Sequence, residues 1–142
     1  KWISMNYGNI EAMAKGDYAA TVNWNGASLR MRDAKATIQY GYPKEGYPLW
    51  MDNAAILKDA KNPENAKLFL NFVMAPENAA MISNFAKYAN GIKGSEAFMP
   101  PAMSSAPEIV TPAEFAEKGK FMLRCAPEVQ EIYTKIWTEV QK

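Results

Sequence analysis

The chain has 142 residues, of which 49% are hydrophobic, so it is long enough and apolar enough to fold around a core. Its net charge of +1, from 16 basic and 15 acidic residues, gives no electrostatic reason to expect nucleic acid or a membrane surface as a partner. There is no histidine and one cysteine, Cys125, which excludes an internal disulfide and removes the commonest catalytic base and metal ligand. We therefore expect no catalytic residue, no metal and no cofactor.

The N-terminal sequence from Lys1 to Asn6 has no initiator methionine, and it lacks the long apolar segment of a signal peptide. We interpret the chain as a fragment of a longer protein. A trimmed small domain is the alternative.

The first 42 residues alternate between helical and extended patterns. Apolar residues recur at helical spacing over residues 10–15, and Gly16 is a favourable residue for ending that helix. Residues 18–24 and 37–42 are typical of strands, and residues 27–34 between them predict a short helix.

The middle of the chain predicts a third strand, over residues 49–57, followed by two helices. Asn62-Pro63-Glu64 combines a helix N-cap, a proline at the first helical position and an acid in the first turn. That helix is expected to end near Ala75, where Pro76 starts the next one. Each of the two helices has one predicted apolar face: Ala66, Phe69, Leu70 and Val73 in the first, and Ala80, Met81, Phe85 and Tyr88 in the second.

The C-terminal third predicts a loop over residues 93–106 and two further helices. Residues 111–114 have the sequence of a capping box with a proline at the first helical position, and Pro127 opens the last helix. This last helix carries an apolar stripe: Val129, Ile132, Tyr133, Ile136, Trp137 and Val140. Because strands and helices alternate along the chain, the predicted fold class is α/β.

The familiar catalytic motifs are missing from this sequence. There is no glycine-rich phosphate loop, no Cys-x-x-Cys pair and no nucleophile elbow. Glu11, Glu64 and Glu77 fall in predicted first turns or on polar faces, where an acid usually interacts favourably with the helix dipole in solvent. The sequence therefore assigns no catalytic residue.

Aromatic residues near the predicted strand ends are the better functional signal. Trp24 ends one predicted strand, while Trp50 begins another and is followed two positions later by Asp52. In a strand, residues two apart share a face, so an indole and a carboxylate would lie side by side and suit an organic ammonium group. Two structural alternatives remain: Trp24 alone also fits a core position, and Asp52-Asn53 also fits a turn.

Four stretches of the sequence resemble the spermidine/putrescine-binding protein family. They are Val-Asn-Trp-Asn-Gly at 22–26, Tyr-Pro-Lys-Glu-Gly at 42–46, Trp-Met-Asp-Asn-Ala-Ala-Ile at 50–56, and Lys-Asn-Pro-Glu-Asn-Ala at 61–66 followed by Phe-Leu-Asn-Phe at 69–72. The resemblance implies the C-terminal part of a two-lobed (type II) periplasmic-binding-protein fold. Residues 1–48 and 98–142 would then belong to the second lobe, 52–97 to the first lobe, and 49–51 to a hinge crossing. Such a fragment is expected to associate with itself or with the missing N-terminal half.

The same resemblance implies the substrate-binding component of an ABC importer, which captures putrescine- or spermidine-like polyamines in the periplasm and delivers them to a membrane permease. By position, Trp24 and Trp50 match tryptophans that sandwich the polyamine's methylene chain. Asp52 matches a carboxylate that binds an ammonium group, and Tyr88 matches an aromatic wall residue near the hinge. The sequence departs from some relatives at Ala27, where those relatives have an acid.

Other ligand classes remain open. An anionic, zwitterionic or opine-like ligand is the nearest alternative, because residues 26–28 lie at a predicted helix N-terminus and Arg30 and Arg32 follow closely. An enzyme sharing the α/β fold is disfavoured by the missing histidine and cofactor motifs. Ferric binding in related folds normally needs adjacent tyrosines, and the tyrosines in this region are not adjacent: Tyr40, Tyr42 and Tyr47.

Overall fold

A computed structural model describes residues 5–141. The helices are α1 (Asn9–Lys15), α2 (Asn25–Ala34), α3 (Pro63–Val73), α4 (Pro76–Ala86), α5 (Pro101–Ser104) and α6 (Pro127–Val140). Two 3₁₀ helices cover Ser95–Phe98 and Ala113–Lys118, and the strands are β1 (Tyr47–Leu49) and β2 (Gly119–Phe121). None of the helices in this described range is long and apolar enough to cross a membrane.

The helix ends predicted from local chemistry are confirmed at several positions. Gly16 ends α1 in the left-handed conformation, with φ of 88°, and its N–H group donates to the carbonyl groups of Ala12 and Met13. Pro63, Pro76 and Pro127 are the first residues of α3, α4 and α6. Proline suits this position because its missing N–H group would have no partner inside the helix.

The strand predictions are mostly wrong. Residues 18–24 and 37–42 form no strand, and the strand expected over residues 49–57 is replaced by the shorter β1. β1 pairs in parallel with β2, and Tyr47 lies opposite Gly119. An apolar, extended sequence becomes a strand only where a second segment supplies its backbone hydrogen bonds, and here that second segment lies about 70 residues further along the chain.

Two C-terminal predictions also need correction. The predicted loop over residues 93–106 contains both the first 3₁₀ helix and α5. The capping box predicted at residues 111–114 is not formed: a 3₁₀ helix begins at Ala113, and no side chain caps its first turn. The described structure is therefore mainly helical, with a two-stranded parallel sheet.

The core is small and centres on α2. Leu29 packs with Met103 and Ala106, and the partly buried Ile109 covers that cluster. The buried apolar residues outside the cluster are all small or flexible: Ala27, Met31, Ala79 and Ala80. The structure thus holds α2 against α5 and the segment that follows it.

A buried ion pair reinforces the same contact. The guanidinium group of Arg32 donates two hydrogen bonds of 2.8 Å to the carboxylate of Glu108, whose side chain is 0% exposed. Asn25, at the start of α2, donates from Nδ2 to the backbone carbonyl of Glu108 at 2.8 Å. Glu108 therefore binds both the first and the last turn of α2.

Many of the large apolar side chains of α3, α4 and α6 are exposed. Phe69 and Phe72 of α3 are 64% and 63% exposed, and Phe85 of α4 is 89% exposed. In α4 the buried residues are instead the small ones: Ala79, Ala80 and Ser83. Every described residue of α6 is exposed, including its whole apolar stripe. Within residues 5–141, no segment covers these exposed side chains.

Candidate functional site

Trp24 is fixed at the start of α2. It is the N-cap residue of that helix, not the last residue of a strand, and its backbone is extended, with φ of −63° and ψ of 146°. Its N–H group donates to the side chain of Asn23 at 2.9 Å. Its carbonyl group accepts hydrogen bonds from both the backbone and the hydroxyl group of Ser28. The indole thus projects from a well-anchored turn.

Tyr88 packs directly on the first turn of α2, because Gly26 has no side chain. A Cβ atom at Gly26 would lie 2.6 Å from Cε2 of Tyr88 and 2.7 Å from the carbonyl oxygen of Lys87. Lys87 ends α4 in the left-handed conformation, with φ of 62°, and so turns the chain towards α2. Any larger residue at position 26 would push the Tyr88 ring away.

Trp50 also contacts the Tyr88 ring. It follows β1 directly and is 48% exposed. The ring centroids of Trp50 and Tyr88 are 6.3 Å apart, with an angle of 77° between the planes, which is an edge-to-face contact. Two of the four predicted site residues are therefore in ring contact.

Tyr7 connects this pair to Trp24, and sequence reasoning missed it. The Tyr7 ring lies 5.2 Å from the Trp24 ring, and its hydroxyl oxygen lies 3.4 Å from that of Tyr88. Trp24, Tyr7, Tyr88 and Trp50 thus form a continuous series of neighbouring rings, which we call the aromatic row. No motif marks Tyr7; its position just before α1 and the packing of α1 against α2 bring it here.

Tyr88 supplies a neutral hydroxyl group to the aromatic row. Burial is the main cause that raises the pKa of Tyr88, and its hydrogen bond to Tyr7 raises that pKa further. The charge of Arg30 and the backbone N–H group of Ala27 act in the opposite direction but do not outweigh these effects. Tyr88 therefore offers a ring face and a neutral hydroxyl group to a ligand at neutral pH.

Asp52 is the one predicted site residue outside the ring contacts. The segment that contains it is not a strand, so the argument that Trp50 and Asp52 share a strand face is wrong. The carboxylate of Asp52 is exposed and makes no hydrogen bond or ion pair with other residues between 5 and 141. It therefore retains its capacity to accept hydrogen bonds from an external cation.

The arginines considered for an anionic ligand already have protein partners. Arg32 is bound to Glu108, as described above. Arg30 donates from Nη2 to the carbonyl oxygen of Ala86 at 2.6 Å, and its Cζ atom lies 5.3 Å from the centroid of the Tyr7 ring. An anion at the start of α2 would have to compete with these interactions.

The tyrosines considered for ferric binding form a structural cluster. The ring of Tyr42 lies 5.1 Å from that of Tyr40 and 4.9 Å from that of Tyr47, and its hydroxyl group donates to the carbonyl oxygen of Pro107 at 2.7 Å. Burial raises the pKa of Tyr40, which opposes the tyrosinate form that iron requires. In the described part of the chain, no three His, Cys, Asp or Glu residues are grouped so as to hold a metal ion.

Comparison with known proteins places the chain in a family of solute-binding proteins. A family model described as "Bacterial extracellular solute-binding protein" matches residues 1–111. The putrescine-binding periplasmic protein PotF of Escherichia coli (strain K12) is 32% identical over 138 residues, which are 93% of this chain and 37% of PotF. The putrescine-binding periplasmic protein SpuD of Pseudomonas aeruginosa (strain UCBPP-PA14) is 30% identical over 138 residues, 93% of this chain and 38% of SpuD.

A spermidine/putrescine-binding periplasmic protein of Escherichia coli (strain K12) is 28% identical over 107 residues, which are 75% of this chain and 31% of that relative. The chain thus spans well under half the length of the curated relatives it matches. Those relatives are named for binding, not for catalysis.

Proposed function

We propose, given that this chain belongs to the bacterial extracellular solute-binding protein family, that it is part of the ligand-capturing component of an ABC importer. The ligand is a polyamine of the putrescine or spermidine class. It is captured in the periplasm and passed to the permease subunits of the importer. The names of PotF and SpuD support this ligand class and this compartment, and they support a binding protein over an enzyme.

The aromatic row, with Asp52 two residues beyond its Trp50 end, carries the proposal. Ring faces attract an ammonium group through their negative electrostatic potential and also cover methylene groups. A carboxylate without a protein partner supplies the charge and the hydrogen bonds that an ammonium group needs. We therefore assign ligand binding to Trp24, Trp50, Asp52 and Tyr88.

We also propose that the chain contributes to both lobes of a type II binding protein. Residues 1–48 and 98–142 form part of the second lobe, residues 52–97 part of the first, and residues 49–51 cross the hinge between them. The parallel pairing of β1 with β2 supports a common lobe for these two segments. The ligand site then lies where Trp50 follows β1, next to the hinge.

Calorimetry of the natural full-length protein tests the ligand class. Putrescine and spermidine are titrated alongside a panel of amino acids and opines. We expect saturable heat with at least one polyamine and none with the carboxylate-bearing compounds that lack a second amine. Binding of an opine or another anion, with no heat from any polyamine, would instead support the anionic alternative and contradict the proposal.

The exposed apolar faces of α3, α4 and α6 support the proposed association of this chain with further protein. Side chains such as Phe72, Phe85 and Trp137 remain 49–89% exposed, which is unusual for a stable monomer. We expect the isolated chain to self-associate and to return to a single species when the remainder of the protein is added. Sedimentation velocity measures this, and a well-folded monomer at all concentrations is the contrary result.

A further inference from the structure

Arg30 of α2 binds the C-terminal end of another helix, α4. Its Nη2 atom donates a hydrogen bond of 2.6 Å to the carbonyl oxygen of Ala86, the last residue of α4. The last four carbonyl groups of a helix have no partner within the helix, and the helix dipole places partial negative charge there. A guanidinium group is therefore a favourable partner at this end, and Arg30 fixes the backbone two residues before Tyr88.

The same guanidinium group lies against the ring of Tyr7. Its Cζ atom is 5.3 Å from the ring centroid, which is a cation–π contact. Tyr7 and Tyr88 are 81 positions apart in sequence, yet their hydroxyl oxygens are 3.4 Å apart. Arg30 thus contacts one of the two central rings of the aromatic row directly and holds the backbone next to the other.

The turn that directs Tyr88 towards α2 needs such support. Lys87, between Ala86 and Tyr88, has φ of 62°, and a residue with a side chain adopts this left-handed conformation at an energetic cost. Its ammonium group forms an ion pair of 3.6 Å with Asp33, which lies one turn after Arg30 on α2. Two positions on one side of α2 therefore hold two successive residues of this turn.

From these contacts we infer that Arg30 is a positioning residue of the ligand site, which keeps the two central rings of the aromatic row in place. It acts through Tyr7 and Tyr88 and does not itself bind the ligand. A guanidinium group suits this task because its flat face can cover a ring while the N–H groups at its edge donate hydrogen bonds, which the ammonium group of lysine cannot do together. The inference rests on the proposed function and adds a residue that sets the shape of the site.

The direction of the change in affinity separates positioning from an effect of charge. If Arg30 influenced a polyamine only by repelling its ammonium groups, removing the guanidinium charge would strengthen binding. We expect the opposite: Arg30→Gln should lower the association constant for putrescine about tenfold, since the central rings lose their common support. Arg30→Lys keeps the charge but should also weaken binding, by at least about threefold, and it tests the inference alone where Arg30→Gln does not fold. Calorimetry of the natural full-length protein and its variants measures both changes.

Lys35→Gln is the matched control. Lys35 is exposed at the C-terminal end of the same helix, and it belongs to neither of the cation–π contacts found within residues 5–141. Its substitution removes the same charge and should change the association constant by less than about twofold.

A double-mutant cycle shows whether Arg30 acts through the rings. In a Tyr88→Leu background, the loss of affinity caused by Arg30→Gln should be at least about threefold smaller, because one of the rings that Arg30 positions is gone. Equal losses in the two backgrounds, or putrescine binding in either Arg30 variant that matches or exceeds that of the native protein, overturn the inference while the proposed function stands. If the native protein binds neither putrescine nor spermidine, the proposed function itself fails, and the inference fails with it.

Discussion

Replacing Asp52 with asparagine is expected to weaken polyamine binding by about 2–5 kcal/mol, because an ammonium group that loses water on binding would then have no charged partner at that end of the site. The carboxylate has no ion pair within residues 5–141, so the substitution removes no contact on which the fold depends. Isothermal titration of the full-length protein with putrescine or spermidine measures the change. The midpoint of thermal unfolding without ligand should stay within about 1 °C of the native value, since isolated surface substitutions change stability little.

Asp59→Asn is the matched control. Asp59 is exposed and lies in the same irregular segment between β1 and α3, so it carries the same charge without adjoining the aromatic row in sequence. We expect its substitution to change affinity by less than about 0.5 kcal/mol. If the two variants bind polyamine equally well, Asp52 does not belong to the site.

Local chemistry allowed most helix ends to be predicted from the sequence. Each of these helix ends depends on the backbone geometry of one residue, so one or two residues of sequence are enough to predict it. The residues are Gly16, Pro63, Pro76 and Pro127. Strand pairing depends on distant partners, which is why the segment at 18–24 has the composition of a strand but no neighbouring strand to pair with. The same limit explains why β1 was predicted in the wrong place: its partner, β2, is far away in the chain.

The residues of the candidate site show the same difference between what the local sequence predicts and what depends on distant contacts. Trp24 and Trp50 were predicted from recognisable stretches and Tyr88 from its position in the same resemblance, and the structure brings their rings into one row through Tyr7. Tyr7 had no such context, since its contact with Tyr88 spans 81 residues of sequence. The relation between Trp50 and Asp52 was derived from a strand that is not formed, so the case for Asp52 now depends on its position in sequence and its unpaired charge.

The position of Trp24 depends on the anchoring of α2, and this gives the second large expected effect. Glu108→Gln should destabilise the protein by about 2 kcal/mol, because the two donors of Arg32 then face a neutral amide whose side chain is completely buried. The bond from Asn25 to the backbone of Glu108 is retained in this variant. Equilibrium unfolding of the full-length protein in urea measures the change in the free energy of unfolding.

The exposed ion pair between Glu64 and Lys67 is the control that separates the effect of burial on stability from the effect of losing a charge. Its ions are 2.7 Å apart, as close as those of Arg32 and Glu108, but its side chains are 77% and 59% exposed. Glu64→Gln should therefore change stability by less than about 0.5 kcal/mol.

The double replacement Arg32→Met with Glu108→Leu should recover much of the stability lost in Glu108→Gln, since it removes both charges and fills the space with apolar groups. If Glu108→Gln and Glu64→Gln cost the same, the buried pair does not anchor α2, and the position of Trp24 must be fixed by the packing of Leu29 against Met103 and Ala106.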